Sequence, residues 1–96
     1  MNQYSLSCSS GADDFEPIVL AVHDLIHRLP VTAKSRDRDG IRIEEGRVVD
    51  RQYNGPVLIE AIRKNQLIQT TPKSGAYQGI PVIVTPIRDR DGLAIG

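Results

Sequence analysis

The longest stretch dominated by β-branched apolar residues is Ile80-Pro81-Val82-Ile83-Val84-Thr85-Pro86-Ile87, and it runs directly into Arg88-Asp89-Arg90-Asp91-Gly92. Asp followed by Gly is a strong hairpin signal, because both tolerate turn geometry, and a second apolar stretch opens at Leu93. A strand, a tight turn and a returning strand are therefore predicted over 79–96. Ile80, Val82 and Val84 fall on one face of the first strand and Ile83 and Ile87 on the other. A strand apolar on both faces belongs in the middle of a sheet with a helix over at least one of them. Pro86 cannot donate to a ladder and predicts a bulge or open edge. The returning stretch is only Leu93-Ala94-Ile95-Gly96. Its brevity predicts either that the natural chain continues or that a second copy supplies the missing pairing.

The preceding chain supplies the cover. Residues 1–12, rich in Ser, Asn and Gly, read as a flexible tail ahead of a single domain over 13–96, with Cys8 an inert surface thiol. Asp13 or Asp14 can cap a helix whose first turn holds Glu16 and Pro17. Phe15, Ile18, Val19, Val22, Leu25, Ile26 and Leu29 then recur at the spacing of one helical face, and Pro30 ends it. His23 and His27, four apart, read as solvent-facing side chains on that helix's flank. A shared metal ion would need a third ligand, so no metal site is predicted.

Val31 and Ala33 alternate with Thr32 and Lys34, and Ile41 and Ile43 with Arg42 and Glu44, on either side of Arg36-Asp37-Arg38-Asp39-Gly40. This is the pattern of a hairpin with one apolar face. Its turn nearly repeats the one at 88–92, which shared turn chemistry explains better than duplication. Neither copy continues with the spaced oxygens of a calcium loop. Gly46–Asp50 reads as a turn into a short extended piece. Asn54-Gly55-Pro56 announces a second helix with Val57, Leu58, Ala61 and Ile62 as its stripe, Glu60 and Lys64 as a pair, and Asn65 as a left-handed terminator. A strand over 67–71 and an exposed loop over 72–79 complete the pattern. The fold class is α+β, an antiparallel sheet of about five strands with two helices.

Charge narrows the function. Twelve basic residues balance twelve acidic ones and are interspersed, which argues against nucleic acid or an anionic membrane as partner. The longest uninterrupted apolar run, Ile18–Val22, is too short to span a bilayer. A lone cysteine suits a reducing, cytoplasmic setting.

Over Pro81–Gly96 the chain resembles the closing hairpin of sensory domains of the GAF, PAS and Cache kind, in which an apolar strand ends in Pro-apolar-x-Asp, turns at Asp-Gly and returns through Ile-Gly. Over residues 15–96 it is more similar to a small archaeal family of uncharacterised function, through Leu29-Pro30-Val31, Asn54-Gly55-Pro56-Val57-Leu58, Pro72-Lys73-Ser74-Gly75-Ala76-Tyr77-Gln78-Gly79-Ile80-Pro81 and the final motif. The sensory resemblance implies a PAS/GAF-like fold with a pocket between the sheet and a covering segment. It also implies a small-molecule-sensing or regulatory role without catalysis.

The residues themselves suggest where a ligand would sit. Lys73 offers a cation, Ser74 a hydroxyl and Tyr77 a ring, together suited to a small anion, with Arg88 as a second cation. Neither a ligand nor a cofactor is fixed by any motif. The alternatives are a structural dimerisation or interaction domain, and a small enzyme. Against the enzyme, no nucleophile with its base and no supported carboxylate pair is recognisable, so no catalytic residue is assigned. A homodimer is expected through the Phe15–Leu29 stripe or an exposed sheet edge, since so short a chain has few elements with which to cover a two-sided strand.

Overall fold

Alternation sets the first sheet. In a computed structural model that describes residues 3–96, β1 (Val31–Ala33), β2 (Gly40–Glu44) and β3 (Arg47–Tyr53) form an antiparallel sheet in that order. Val31 lies opposite Ile43 and Ala33 opposite Ile41, so these four share one face while Thr32 and Arg42 share the other. Helix α1 (Ala12–Leu25) lies across the apolar face, and Phe15, Val19, Ile41 and Ile43 make the closed core.

The start of α1 differs from expectation. Gly11 is the N-cap, and Asp14 accepts the Gly11 N–H at 2.8 Å from inside the first turn. The end differs more. α1 stops at Leu25 rather than Leu29, because His27 and Arg28 take left-handed φ values of 60° and 61° and the Arg28 N–H closes on the His23 carbonyl at 2.7 Å. The buried face is Phe15, Val19 and His23, every fourth residue. Much of the predicted stripe is left uncovered, with Leu25 79% exposed and Leu29 61%.

The segment ahead of α1, read from composition as a loose tail, makes definite contacts. Leu6 packs on the core, and the Asp37 N–H donates to the Cys8 carbonyl at 2.9 Å. The Tyr4 hydroxyl donates to the Asp14 carbonyl. Residues 1 and 2 of the expected tail lie outside the described residues.

Helix α2 (Pro56–Lys64) follows the sequence closely. Gly55 is its N-cap and Pro56 its first residue, Leu58, Ala61 and Ile62 are buried, and Glu60 pairs with Lys64 at 2.8 Å. Asn65 ends it at φ 52°, ψ 45°. Beyond it β4 (Ile68–Thr70) and β5 (Val82–Val84) form a separate antiparallel pair, Ile68 opposite Val84.

Two expectations are corrected here. The five-stranded sheet is two sheets, of three strands and two. The Ile80–Ile87 run is not a covered central strand: only Val82–Val84 pairs with β4, and Ile83 is 62% exposed. Pro81 and Pro86 bracket the paired residues, and neither has an N–H to extend the ladder. The last residues pair instead with 87–89. The Ile87 N–H donates to Gly96 O at 2.7 Å, and the Ile95 N–H to Ile87 O at 2.8 Å. On its other side Ile95 O accepts the Arg36 N–H at 2.8 Å.

The repeated turns are alike in sequence only. In the second, Asp89 Oδ1 accepts the N–H groups of Asp91 and Leu93, each at 2.9 Å, and Gly92 takes φ 85°. In the first, Ser35 Oγ accepts the Arg38 N–H at 3.2 Å and the Asn54 amide donates to Asp39 at 2.6 Å.

Candidate functional site

Between the two sheets lies a cavity of about 620 Å³. The end of α1 contributes Val22 and the turn after it Ile26 and Leu29, and β1 lines it along its length as an edge strand. Val57, Leu58, Ala61 and Ile62 come from α2, and Ile80 to Thr85 from β5 and its flanks. The wall is mostly aliphatic. Its polar side chains are Thr32, Lys34, Tyr53, Ser74, Tyr77 and Thr85.

Lys34 is the unusual member of that wall. It continues the alternation of β1 on the face opposite Val31 and Ala33 and is only 7% exposed. Its ammonium donates to the Ser35 carbonyl at 2.8 Å, and it belongs to none of the ion pairs among the described residues. Burial lowers its pKa below the ordinary lysine value, and the charges of Asp39 and Asp37 oppose that shift from a distance.

A second polar group closes the rim. The Tyr77 hydroxyl donates to Glu44 Oε2 at 2.9 Å, and the Arg42 Nε approaches the same oxygen at 3.4 Å. The Arg42 guanidinium stands 6.0 Å from the Tyr77 ring centre, and Tyr53 meets that ring edge-on at 6.3 Å. Burial, with the Glu44 hydrogen bond and charge added, pushes the Tyr77 phenol well above its ordinary value. Burial raises Tyr53 too. Arg42 Nε is buried with no hydrogen-bond partner, so its approach to Glu44 is Coulombic only. This cluster fastens the 72–79 loop to the first sheet, and the Gly79 N–H closes the loop on Pro72 O at 2.9 Å.

The four residues singled out in the sequence do not converge. Ser74 and Tyr77 line the cavity. Lys73 is exposed on the loop. Arg88 lies elsewhere, donating to the Asn65 side chain at 2.7 Å and to its carbonyl at 3.1 Å.

Every residue on the cavity wall falls within 22–96. That same span, residues 22–96, matches the family described as an uncharacterized protein conserved in archaea, DUF2111. The chain is also 46% identical, over 94 residues, to an uncharacterized protein of Methanocaldococcus jannaschii, covering 96% of this chain and 72% of that one. The chain belongs to the DUF2111 family. No solved structure matches it.

In this DUF2111 chain the two histidines are not the flank pair read from their spacing. α1 ends before His27, and His23 is fully buried. The Gly46 N–H donates to His23 Nε2 at 2.9 Å, which makes Nε2 an acceptor and assigns the ring proton to Nδ1, donated to Leu29 O at 2.8 Å. Both ring nitrogens are thus engaged with backbone, and a metal could take neither without displacing one. Among the described residues no group of three His, Cys, Asp or Glu could hold a metal ion, and no helix is long and apolar enough to cross a membrane. Lys34 and Tyr53, missed as cavity residues, carried a faint signal: each is the polar member of a strand pattern, and only the second layer turns that face inward.

Proposed function

We propose that the DUF2111 domain is a non-catalytic regulatory domain that takes a small apolar molecule into the cavity between its sheets. The observation that carries this reading is the size of the cavity, about 620 Å³, within the usual range for ligand pockets of roughly 300–1,000 Å³. The Tyr77 phenol, hydrogen-bonded to Glu44 and held protonated, suits orientation rather than proton transfer. Ser74 and Tyr77 contribute to the ligand's surroundings in this reading, while Lys73 and Arg88 stand outside them. A pocket between a sheet and its cover is also the arrangement that a PAS- or GAF-like sensor would use.

The test is thermal denaturation against a metabolite panel, together with binding of a neutral naphthylamine fluorophore. Native protein should brighten the fluorophore, and Ala61→Phe, which fills the cavity from α2, should abolish the signal while leaving the circular dichroism unchanged. A dark fluorophore together with no stabilising metabolite would overturn the reading.

Exposed Ile18 and Leu25 favour a second role, self-association through the outer face of α1. Sedimentation at high concentration decides it: a monomer removes the homodimer.

A further inference from the structure

We infer that the occupant of the cavity is a medium-chain aliphatic monocarboxylate whose carboxylate is received by Lys34. The inference rests on the cavity-binding reading above and adds the ligand's charge and class. Among the described residues Lys34 is the one basic side chain on the cavity wall, and it is buried with no ion-pair partner there. One of its three N–H donors goes to the Ser35 carbonyl, and the fold supplies no carboxylate to the others. The charges of Asp39 and Asp37 reach Lys34 only from beyond ion-pair distance, and a buried ammonium without a close counter-ion is unfavourable. Usually an ion pair gains little inside a protein because both ions must leave water. Here the cation has already been desolvated in folding, so a ligand anion brings its attraction at the desolvation cost of one partner only.

The chemistry of the anion follows from charge matching. A single lysine balances one carboxylate, whereas a phosphate monoester carries close to two negative charges and no arginine lines the cavity to meet the second. The remaining wall, Ile26, Leu29, Leu58, Ile62, Val82 and Val84 among it, is aliphatic and calls for an alkyl chain. Tyr53 and Tyr77 lie on the wall as well, but Tyr77 donates to Glu44, whose negative charge favours no second anion there.

The test compares decanoate with decanamide, its neutral isostere, as competitors for the naphthylamine fluorophore. Native protein should bind decanoate about tenfold or more tightly than decanamide, the scale of one charge-assisted hydrogen bond. Lys34→Met should lose that preference while still binding the fluorophore, and Lys34→Arg should keep most of it. If Lys34→Met does not fold, the decanoate to decanamide ratio in native protein and in Lys34→Arg decides alone. Equal displacement by acid and amide overturns the role of Lys34 and leaves the cavity reading standing. Absence of fluorophore binding, with neither competitor bound, overturns both. Preference for decyl phosphate over decanoate overturns the assignment to carboxylates.

Discussion

Replacing His23 by alanine strands two backbone groups at once, the Gly46 N–H and the Leu29 carbonyl, and leaves a void beside Val19. A loss of roughly 2–4 kcal/mol is expected in urea unfolding, against about 1 kcal/mol or less for alanine at His27, which is exposed but holds φ 60°. Gly40→Ala should be worse tolerated still. A Cβ there meets the Ala33 carbonyl and lies 2.8 Å from the Lys34 Cα, and paired strand backbone cannot step aside as a flexible side chain would. Soluble expression and the melting midpoint check it; a midpoint within a degree or two of native would show that the hairpin yields. Hydropathy alone could not reveal the role of His23. It sits four residues after Val19 on the buried face, but an imidazole satisfied by backbone scores the same as one in water, and its second partner is 23 residues away in sequence.

Helix α2 was legible because each of its signals is local: the Gly-Pro entry, the stripe, the four-residue ion pair and an asparagine suited to left-handed geometry. Asn65 also does something the sequence did not show, holding Arg88 through its side chain and carbonyl while its own amide donates to Gly92 O at 2.9 Å. The two roles separate by substitution. Asn65→Gly keeps the left-handed cap and loses the side-chain bonds; Asn65→Ala loses both, so Ala should cost about 1 kcal/mol more than Gly. Equal losses in chemical denaturation would assign the whole effect to Arg88. The paired turns teach the opposite lesson. Arg-Asp-Arg-Asp-Gly folds in two ways because the partners, Ser35 and Asn54 for one copy and the Asp89 side chain for the other, lie partly outside the motif. The division of strands between sheets was not legible either. Pairing is non-local, and the prolines that cut the apolar run short were visible without disclosing which strand would be left unmatched.

At the scale of the whole molecule, Tyr53 and Tyr77 have phenols raised above their ordinary value of 10.0, each chiefly by burial. In the fold each stays protonated at a pH where the unfolded chain has begun to ionise. Their contribution to stability is therefore complete below pH about 10 and declines as the pH rises beyond it. Denaturation midpoints should fall across that range, less steeply in Tyr77→Phe, and in a Tyr4→Phe background phenolate absorbance should appear together with unfolding rather than ahead of it. A further consequence follows from the cavity lying between a three-stranded sheet backed by α1 and a two-stranded sheet with α2. The first layer holds the closed core, whereas an isolated two-stranded ribbon is marginal by itself. Amide hydrogen exchange should divide accordingly: β2 amides exchange only with global unfolding, while those of β4 and β5 exchange through a smaller breathing event that leaves β2 protected. Uniform protection across both layers would show that they open as one. If the ribbon does breathe, the width of the cleft fluctuates with it, and traces of denaturant too dilute to unfold α1 and its sheet should weaken the grip on any occupant before they touch the core.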